Sequence, residues 1–245
     1  MVEPPGLNVE LCCRFTRYQR WSRHKNRVVT EGSCVREQVE RGGGDLIEGN
    51  ALASWVTLPT SDIIDVLDMV ENHFGGLDIY IANAGVINLT ASHNVTPEDF
   101  DRHFAINTRG VFFGVQTIAP LIRDGGNIIV TSSLAATKVL PDHAVYAGSK
   151  AAVAAFAKNW ALEFKARRIR VNVLSPGPVE TEILGKLGVS EAGRPEFEDQ
   201  MASLIPAGRM GRPEELARAA LFLASDAGSF INGIELHADG GMALA

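Results

Sequence analysis

The chain has 245 residues, 46% of them hydrophobic and 21% charged. That length and balance fit one large α/β domain able to bury a sizeable core. The formal charge of −6 argues against a nucleic-acid partner, and the basic cluster between Arg14 and Arg27 reads as a solvated segment.

The first 27 residues, MVEPPGLNVELCCRFTRYQRWSRHKNR, hold one glycine, Gly6. They lack a signal peptide's apolar core, and no run in the chain is long enough to span a membrane. Leu7–Cys13 is apolar enough for a short strand. Cys12, Cys13 and Cys34 show neither a disulfide framework nor the spacing of a zinc site, so no metal is assigned and a reducing, cytoplasmic setting is expected. Val28–Thr30 reads as the second strand. Cys34–Arg41 reads as a helix stopped by Gly42-Gly43-Gly44. Asp45–Asn50 reads as the third strand. Ser61 or Asp62 caps a helix to Phe74, with Ile63, Leu67, Val70 and Phe74 at helical spacing.

Leu77–Ile81 is a buried strand entering Ala82-Asn83-Ala84-Gly85. Thr96 then caps a helix with Pro97 in its first turn, running through Phe104, Asn107, Val111 and Val115 towards Leu121. A polar amide such as Asn107 inside a helix can open its hydrogen-bond ladder. Gly126–Ser133 reads as the fifth strand and delivers Ser132 and Ser133. Tyr146 and Lys150 stand four apart at the start of an alanine-rich run, which puts both on one helix face. A nearby cation is expected to favour the phenolate and lower the tyrosine pKa, letting it exchange a proton with an alcohol or carbonyl. The hydroxyl of Ser133 can hold the same oxygen.

Ala147–Arg167 continues that helix, and Ile169–Leu174 is the sixth strand. Ser175-Pro176-Gly177-Pro178-Val179-Glu180-Thr181 forces a turn. Glu182–Ile205 has broken periodicity. Gly211-Arg212-Pro213-Glu214-Glu215 begins a helix through Ala224, and Phe230–Leu236 reads as the last strand before Asp239-Gly240-Gly241.

Ser133, Tyr146-Ala-Gly-Ser-Lys150, Ala82-Asn83-Ala84-Gly85, Ile106-Asn107-Thr108-Arg109-Gly110 and Pro176-Gly177 together resemble the classical short-chain dehydrogenases/reductases, from about Gly75 to Gly241. The resemblance implies a Rossmann-type doubly wound α/β fold, a mostly parallel sheet flanked by helices, with residues 1–245 as a single domain. It implies an NAD(P)(H)-dependent oxidoreductase interconverting a ketone and a secondary alcohol on a small molecule, compatible with secondary metabolism. Tyr146 would be the acid/base, Lys150 its partner and a ribose ligand, Ser133 the group orienting the carbonyl, and Asn107 the support of a water-borne proton relay. His143 has no matching role in the family and reads as a loop or substrate-contact residue.

By the same resemblance, cofactor contacts fall on Asn50, Asn83, Tyr146, Lys150, Val179 and Thr181. Asn50 is matched to the adenine, with an alternative register placing Thr57 there. Glu31 suits NAD and Ser33 with Arg36 suits NADP, so the nucleotide stays open, NADP slightly favoured. Residues 182–205 take the place of the substrate lid, weakly favouring an apolar or aromatic substrate. A homo-oligomer, dimer or tetramer, is the usual assembly. Residues 1–27 depart from the family, which keeps a first strand and a T-G-x-x-x-G-x-G phosphate turn there. Three accounts compete: a misread or alternatively spliced start, which we favour; a degenerate but real one; or phosphate contact by the basic side chains. The rival function is a catalytically silent relative, impaired in cofactor binding and acting as an oligomer partner.

Overall fold

The computed structural model describes residues 27–30, 45–48, 71–72, 75–180 and 193–245. Among these, six strands form one parallel sheet: β1 (Arg27–Thr30), β2 (Asp45–Glu48), β3 (Leu77–Ala82), β4 (Ile122–Thr131), β5 (Arg170–Pro176) and β6 (Glu235–Ala238). Their spatial order is β2-β1-β3-β4-β5-β6. The sheet grows outward from β1, first to β2 on one side and then to β3 on the other. In open parallel sheets the crevice beyond the carboxyl ends of the strands, beside such a reversal, is where ligands bind.

Val28–Thr30, expected as the second strand, is the first in chain order among the described residues and lies inside the sheet. Val28 pairs directly with Ile79 and Thr30 with Ile81, while the other edge of β1 pairs with Asp45–Glu48. A run of three β-branched residues, Val28-Val29-Thr30, favours a strand but does not choose its neighbours, which tertiary pairing decides. The strand expected at Leu7–Cys13 and the helix at Cys34–Arg41 lie outside the described residues, as does nearly all of the Ser61–Phe74 helix.

Side chains alternate between the two faces of the sheet, and both faces are covered. Tyr80, Ile128 and Val171 lie side by side in register on one face, buried with Val130 and Val173 against Val111, Val115, Val153, Ala157 and Trp160. Ile129 and Leu174 point the other way, onto Leu216, Ala220 and Leu223. Each large aliphatic side chain so buried contributes roughly 1.5–3 kcal/mol.

α1 (Pro97–Phe104) packs on the helix that starts at Ala144, while α2 (Val111–Ile118) and α3 (Ala144–Glu163) cover the first face of the sheet. Thr96 caps α1 as expected, its Oγ1 accepting the Asp99 N–H at 3.2 Å. Between α1 and α2 the helix widens into a π turn over Ala105–Gly110, centred on Asn107. Two more helices follow, α4 (Arg194–Leu204) and α5 (Pro213–Ala224). The region expected to lack periodicity is therefore helical over Arg194–Leu204, started by Pro195 in its first turn.

Strand limits also shift. β4 begins at Ile122 and ends before Ser132, while β5 extends to Pro176. The last strand is Glu235–Ala238 rather than Phe230–Leu236. Phe230 is fully exposed, and Gly233 at φ +75° turns the chain before pairing with β5 begins.

Candidate active site

β4 and α3 assemble the core of the site. Beyond Thr131 the chain continues through Ser132, which is buried and donates its hydroxyl to the Lys150 carbonyl at 2.9 Å. That bond pins α3 to the end of the strand. Ser133 stays extended and caps the short turn Leu134–Ala136, its Oγ accepting the Ala135 N–H at 3.2 Å. The same hydroxyl is hydrogen-bonded to the Tyr146 side chain. Lys150, one turn beyond Tyr146, is buried, and its Nζ donates to the Thr131 carbonyl at 2.9 Å. The structure thus brings Ser133, Tyr146 and Lys150 to one place.

Burial pushes the Tyr146 phenol above its usual value near 10, and the Ser133 hydrogen bond pulls it only partly back. The direction is opposite to the sequence-based expectation, because withdrawal from water penalises the phenolate more than local polar contacts reward it. At neutral pH the phenol carries its proton and is poised as an acid.

Asn107 closes the other side. Its Oδ1 accepts the Val86 N–H at 2.8 Å, and its Nδ2 donates to the Val86 carbonyl at 2.9 Å and to Ser149 Oγ at 3.0 Å. The Ser149 hydroxyl in turn donates to the Tyr146 carbonyl at 2.7 Å. The side chain of Asn107 is therefore spent on holding protein groups. Sequence reading did not single out Ser149, which is buried between Asn107 and the catalytic helix; its only signal is its place inside Tyr146-Ala-Gly-Ser-Lys150.

Gly85 sits between the two helices. A methyl group there would lie 3.0 Å from Lys150 Nζ and 3.3 Å from Asn107 Oδ1. Absence of a side chain keeps the backbone beyond β3 open to close approach. With the Tyr146 hydroxyl and the Lys150 ammonium as donors, these residues fit the sugar and nicotinamide half of a nucleotide at the carboxyl ends of the strands.

The remaining sequence-predicted residues are placed as follows. Asn83 stands just beyond β3, half-buried. Val179 forms a parallel bridge with Gly211 beyond β5, reinforced by Glu180 N–H to Gly211 O at 2.9 Å and Gly211 N–H to Pro178 O at 3.0 Å. Gly177 packs so tightly on Asp239 that a Cβ would meet its Cα at 2.8 Å. Asn50, Thr57 and Thr181 lie outside the described residues. His143 precedes α3, bonds the Pro141 carbonyl through Nδ1 and presents its ring at 6.3 Å to Tyr146.

Fold and site together define an oxidoreductase of the Rossmann class. A family model described as enoyl-(acyl carrier protein) reductase matches residues 57–243. Versicolorin reductase stcU of Emericella nidulans is 38% identical over 227 residues, 88% of this chain and 85% of that protein. Tetrahydroxynaphthalene reductase PfmaG of Pestalotiopsis fici is 36% identical, over 78% of this chain and 72% of that protein. Among solved structures, a short-chain dehydrogenase/reductase from Serratia marcescens superposes with a TM-score of 0.74 at 28% identity, covering 89% of this chain and 98% of that one. The angucycline C-6 ketoreductase LanV with bound NADP gives a TM-score of 0.71 at 31% identity, covering 86% and 80%. The chain belongs to the short-chain dehydrogenase/reductase family.

Proposed function

We propose that the chain reduces a ketone on an aromatic or polycyclic small molecule to a secondary alcohol, with NADPH favoured over NADH, in secondary metabolism. One observation carries this reading. The Tyr146 phenol is held protonated beside Ser133 at the carboxyl end of β4, one helical turn from a buried Lys150. The named activities of the fungal reductases and of the NADP-bound ketoreductase support the substrate class and the nucleotide.

A bound nicotinamide nucleotide supplies the hydride. Ser133 and Tyr146 hold the substrate carbonyl oxygen between their hydroxyls. Tyr146 gives its proton to that oxygen as the carbonyl carbon is reduced, and Lys150 stabilises the phenolate left behind and binds the ribose hydroxyls. Asn107 supports proton resupply indirectly. Its amide is already engaged by Val86 and Ser149, so a relay water would rest on a backbone carbonyl freed by the widened turn. Asn83, Val179 and, outside the described residues, Asn50 and Thr181 complete the nucleotide contacts.

Residues 1–245 form one domain in this reading, with 182–205 as the lid. Phe197 and Met201 of α4 pack on Leu134, Ile205, Met210 and Met242, immediately beyond Ser133, which favours an apolar or aromatic substrate. The working form is a homo-oligomer, dimer or tetramer, supported by Phe113 and Leu162, exposed at 41% and 71% on α2 and α3. Cysteine usage supports a cytoplasmic setting. No helix among the described residues is long and apolar enough to cross a membrane.

The test is reduction of α-tetralone with NADPH by the full chain, with Tyr146→Phe as control. Turnover that the variant loses supports the reading. Nucleotide binding without turnover of any aryl ketone would overturn the substrate class, and failure to bind nucleotide would favour a silent oligomer partner.

A further inference from the structure

The loop that leaves β3 is held at two points by one helix face. Asn107 takes both backbone groups of Val86, as described. One turn earlier, His103 is buried, with Nε2 3.0 Å from the Asn88 nitrogen and Nδ1 2.8 Å from the Asp99 carbonyl oxygen. These partners fix the ring's state. A backbone N–H only donates and a carbonyl only accepts, so Nε2 is the acceptor and Nδ1 carries the proton. His103 is a neutral imidazole in its less common tautomer, and it plays no part in the chemistry described above.

What the loop touches gives this bond a consequence for the site. Two residues beyond Asn88, the Thr90 N–H donates to the Asp142 carbonyl at 3.0 Å. Asp142 holds a left-handed backbone, φ +62°, which costs a non-glycine residue energy and needs support from its surroundings. The next residue is His143, whose ring faces Tyr146. A continuous run of contacts therefore leads from His103 through Asn88 and Thr90 to the Asp142 turn at the entrance of the catalytic helix.

We infer that His103 is a positioning residue: as a neutral Nδ1–H imidazole it holds Asn88, and through Thr90 the Asp142–His143 turn, so that the substrate side of the site keeps its shape beside Tyr146. The inference rests on the ketone-reductase reading. It separates two duties along one helix, with Asn107 holding the Lys150 side of the loop and His103 the substrate side.

The test has a part that needs no turnover. In the full-length ¹⁵N-labelled chain, long-range imidazole correlations read the tautomer of His103, and amide exchange reads the Asn88 N–H. The expected results are the Nδ1–H tautomer and an Asn88 amide that exchanges at least ~10-fold faster in His103→Val. In the kinetic part, with α-tetralone and NADPH, His103→Val raises the ketone KM about fivefold, while kcat and nucleotide Kd stay within about twofold. His103→Gln, whose amide oxygen can accept where Nε2 did, restores KM. An Nε2–H tautomer, or equal Asn88 exchange in wild type and variant, overturns the clamp. An unchanged KM with kcat and thermal midpoint falling together overturns the positioning role. A wild-type chain that protects Asn88 yet reduces no ketone overturns the function proposed above while supporting the clamp.

Discussion

Two helices meet at this site and use their polar side chains in opposite ways. α3 brings Tyr146 up to Ser133, where the phenol keeps a proton that it can give away. The α1–α2 helix turns His103 and Asn107 inward and spends their polar atoms on backbone groups of the β3 loop, on the Asp99 carbonyl of α1 and on Ser149. His103 and Asn107 are fully buried, whereas Ser133 and Tyr146 keep part of their surface open, and their partners tell reacting groups from positioning groups. Loss of a reacting group should therefore appear in kcat, and loss of a positioning group in stability or affinity.

The largest expected effect is that of Tyr146→Phe. Removing a general acid lowers kcat by roughly 10²–10⁴, with nucleotide affinity little changed. Steady-state kinetics beside a fluorescence titration check both halves. The raised pKa adds a pH signature. Ketone reduction stays flat through neutral pH and falls as the phenol ionises above about 10, while alcohol oxidation rises over that range. Folding follows the same sign: the unfolded chain releases the Tyr146 proton first, so stability declines as pH rises past about 10, and Tyr146→Phe removes that decline.

Asn107→Ala should come next, and on the stability side. It strands both half-buried backbone groups of Val86 and alters Ser149, at a cost of about 1–3 kcal/mol in all. Urea unfolding reads the loss; a destabilised chain with normal kcat would fit the division of labour, and a stable chain with collapsed kcat would break it.

Much of the site is legible in the sequence. Ser133, Tyr146 and Lys150 are brought together as their spacing implied, because a strand end and one helical turn fix their geometry locally. The widening at Asn107 was also foreseeable from an amide inside a helix. The partners of Asn107 were not, since Val86 lies 21 residues away and is bonded through its backbone, which carries no residue-type signal. His103 gave no sign either, standing as a lone histidine among apolar and charged neighbours. The position of β1 was illegible for a different reason: Arg27–Thr30 is too short to declare its neighbours, and the family's glycine pattern is absent before it. The last strand reads as Phe230–Leu236, but Gly233 turns the chain and pairing begins only at Glu235.

Smaller effects sharpen the contrast. Gly85→Ala would push a methyl group against Lys150 Nζ and Asn107 Oδ1. Because the ammonium can yield more readily than backbone, overpacking here should weaken nucleotide binding by about 1 kcal/mol, read as Kd, with unfolding little affected.

The smallest effect is expected far from the chemistry. Glu215 is held at about 2 by its hydrogen bonds to the Arg209 guanidinium and the Arg212 N–H. A depressed carboxyl contributes stability above its unfolded value, and that contribution is lost as pH falls from about 4.5 towards about 2. Glu215→Gln should flatten the acid limb of the stability profile by under ~1 kcal/mol, since the Arg209 partner is half-exposed and solvent-screened.

On the function proposed above, the chain binds a nicotinamide nucleotide at the carboxyl ends of β3, β4 and β5 and uses Tyr146 to reduce a ketone. The most direct measurement is titration of the full chain with NADPH and, separately, NADH, following nucleotide fluorescence. Saturable binding, tighter for NADPH and weakened in Gly85→Ala, is the predicted result. A folded chain that binds neither nucleotide would contradict the account.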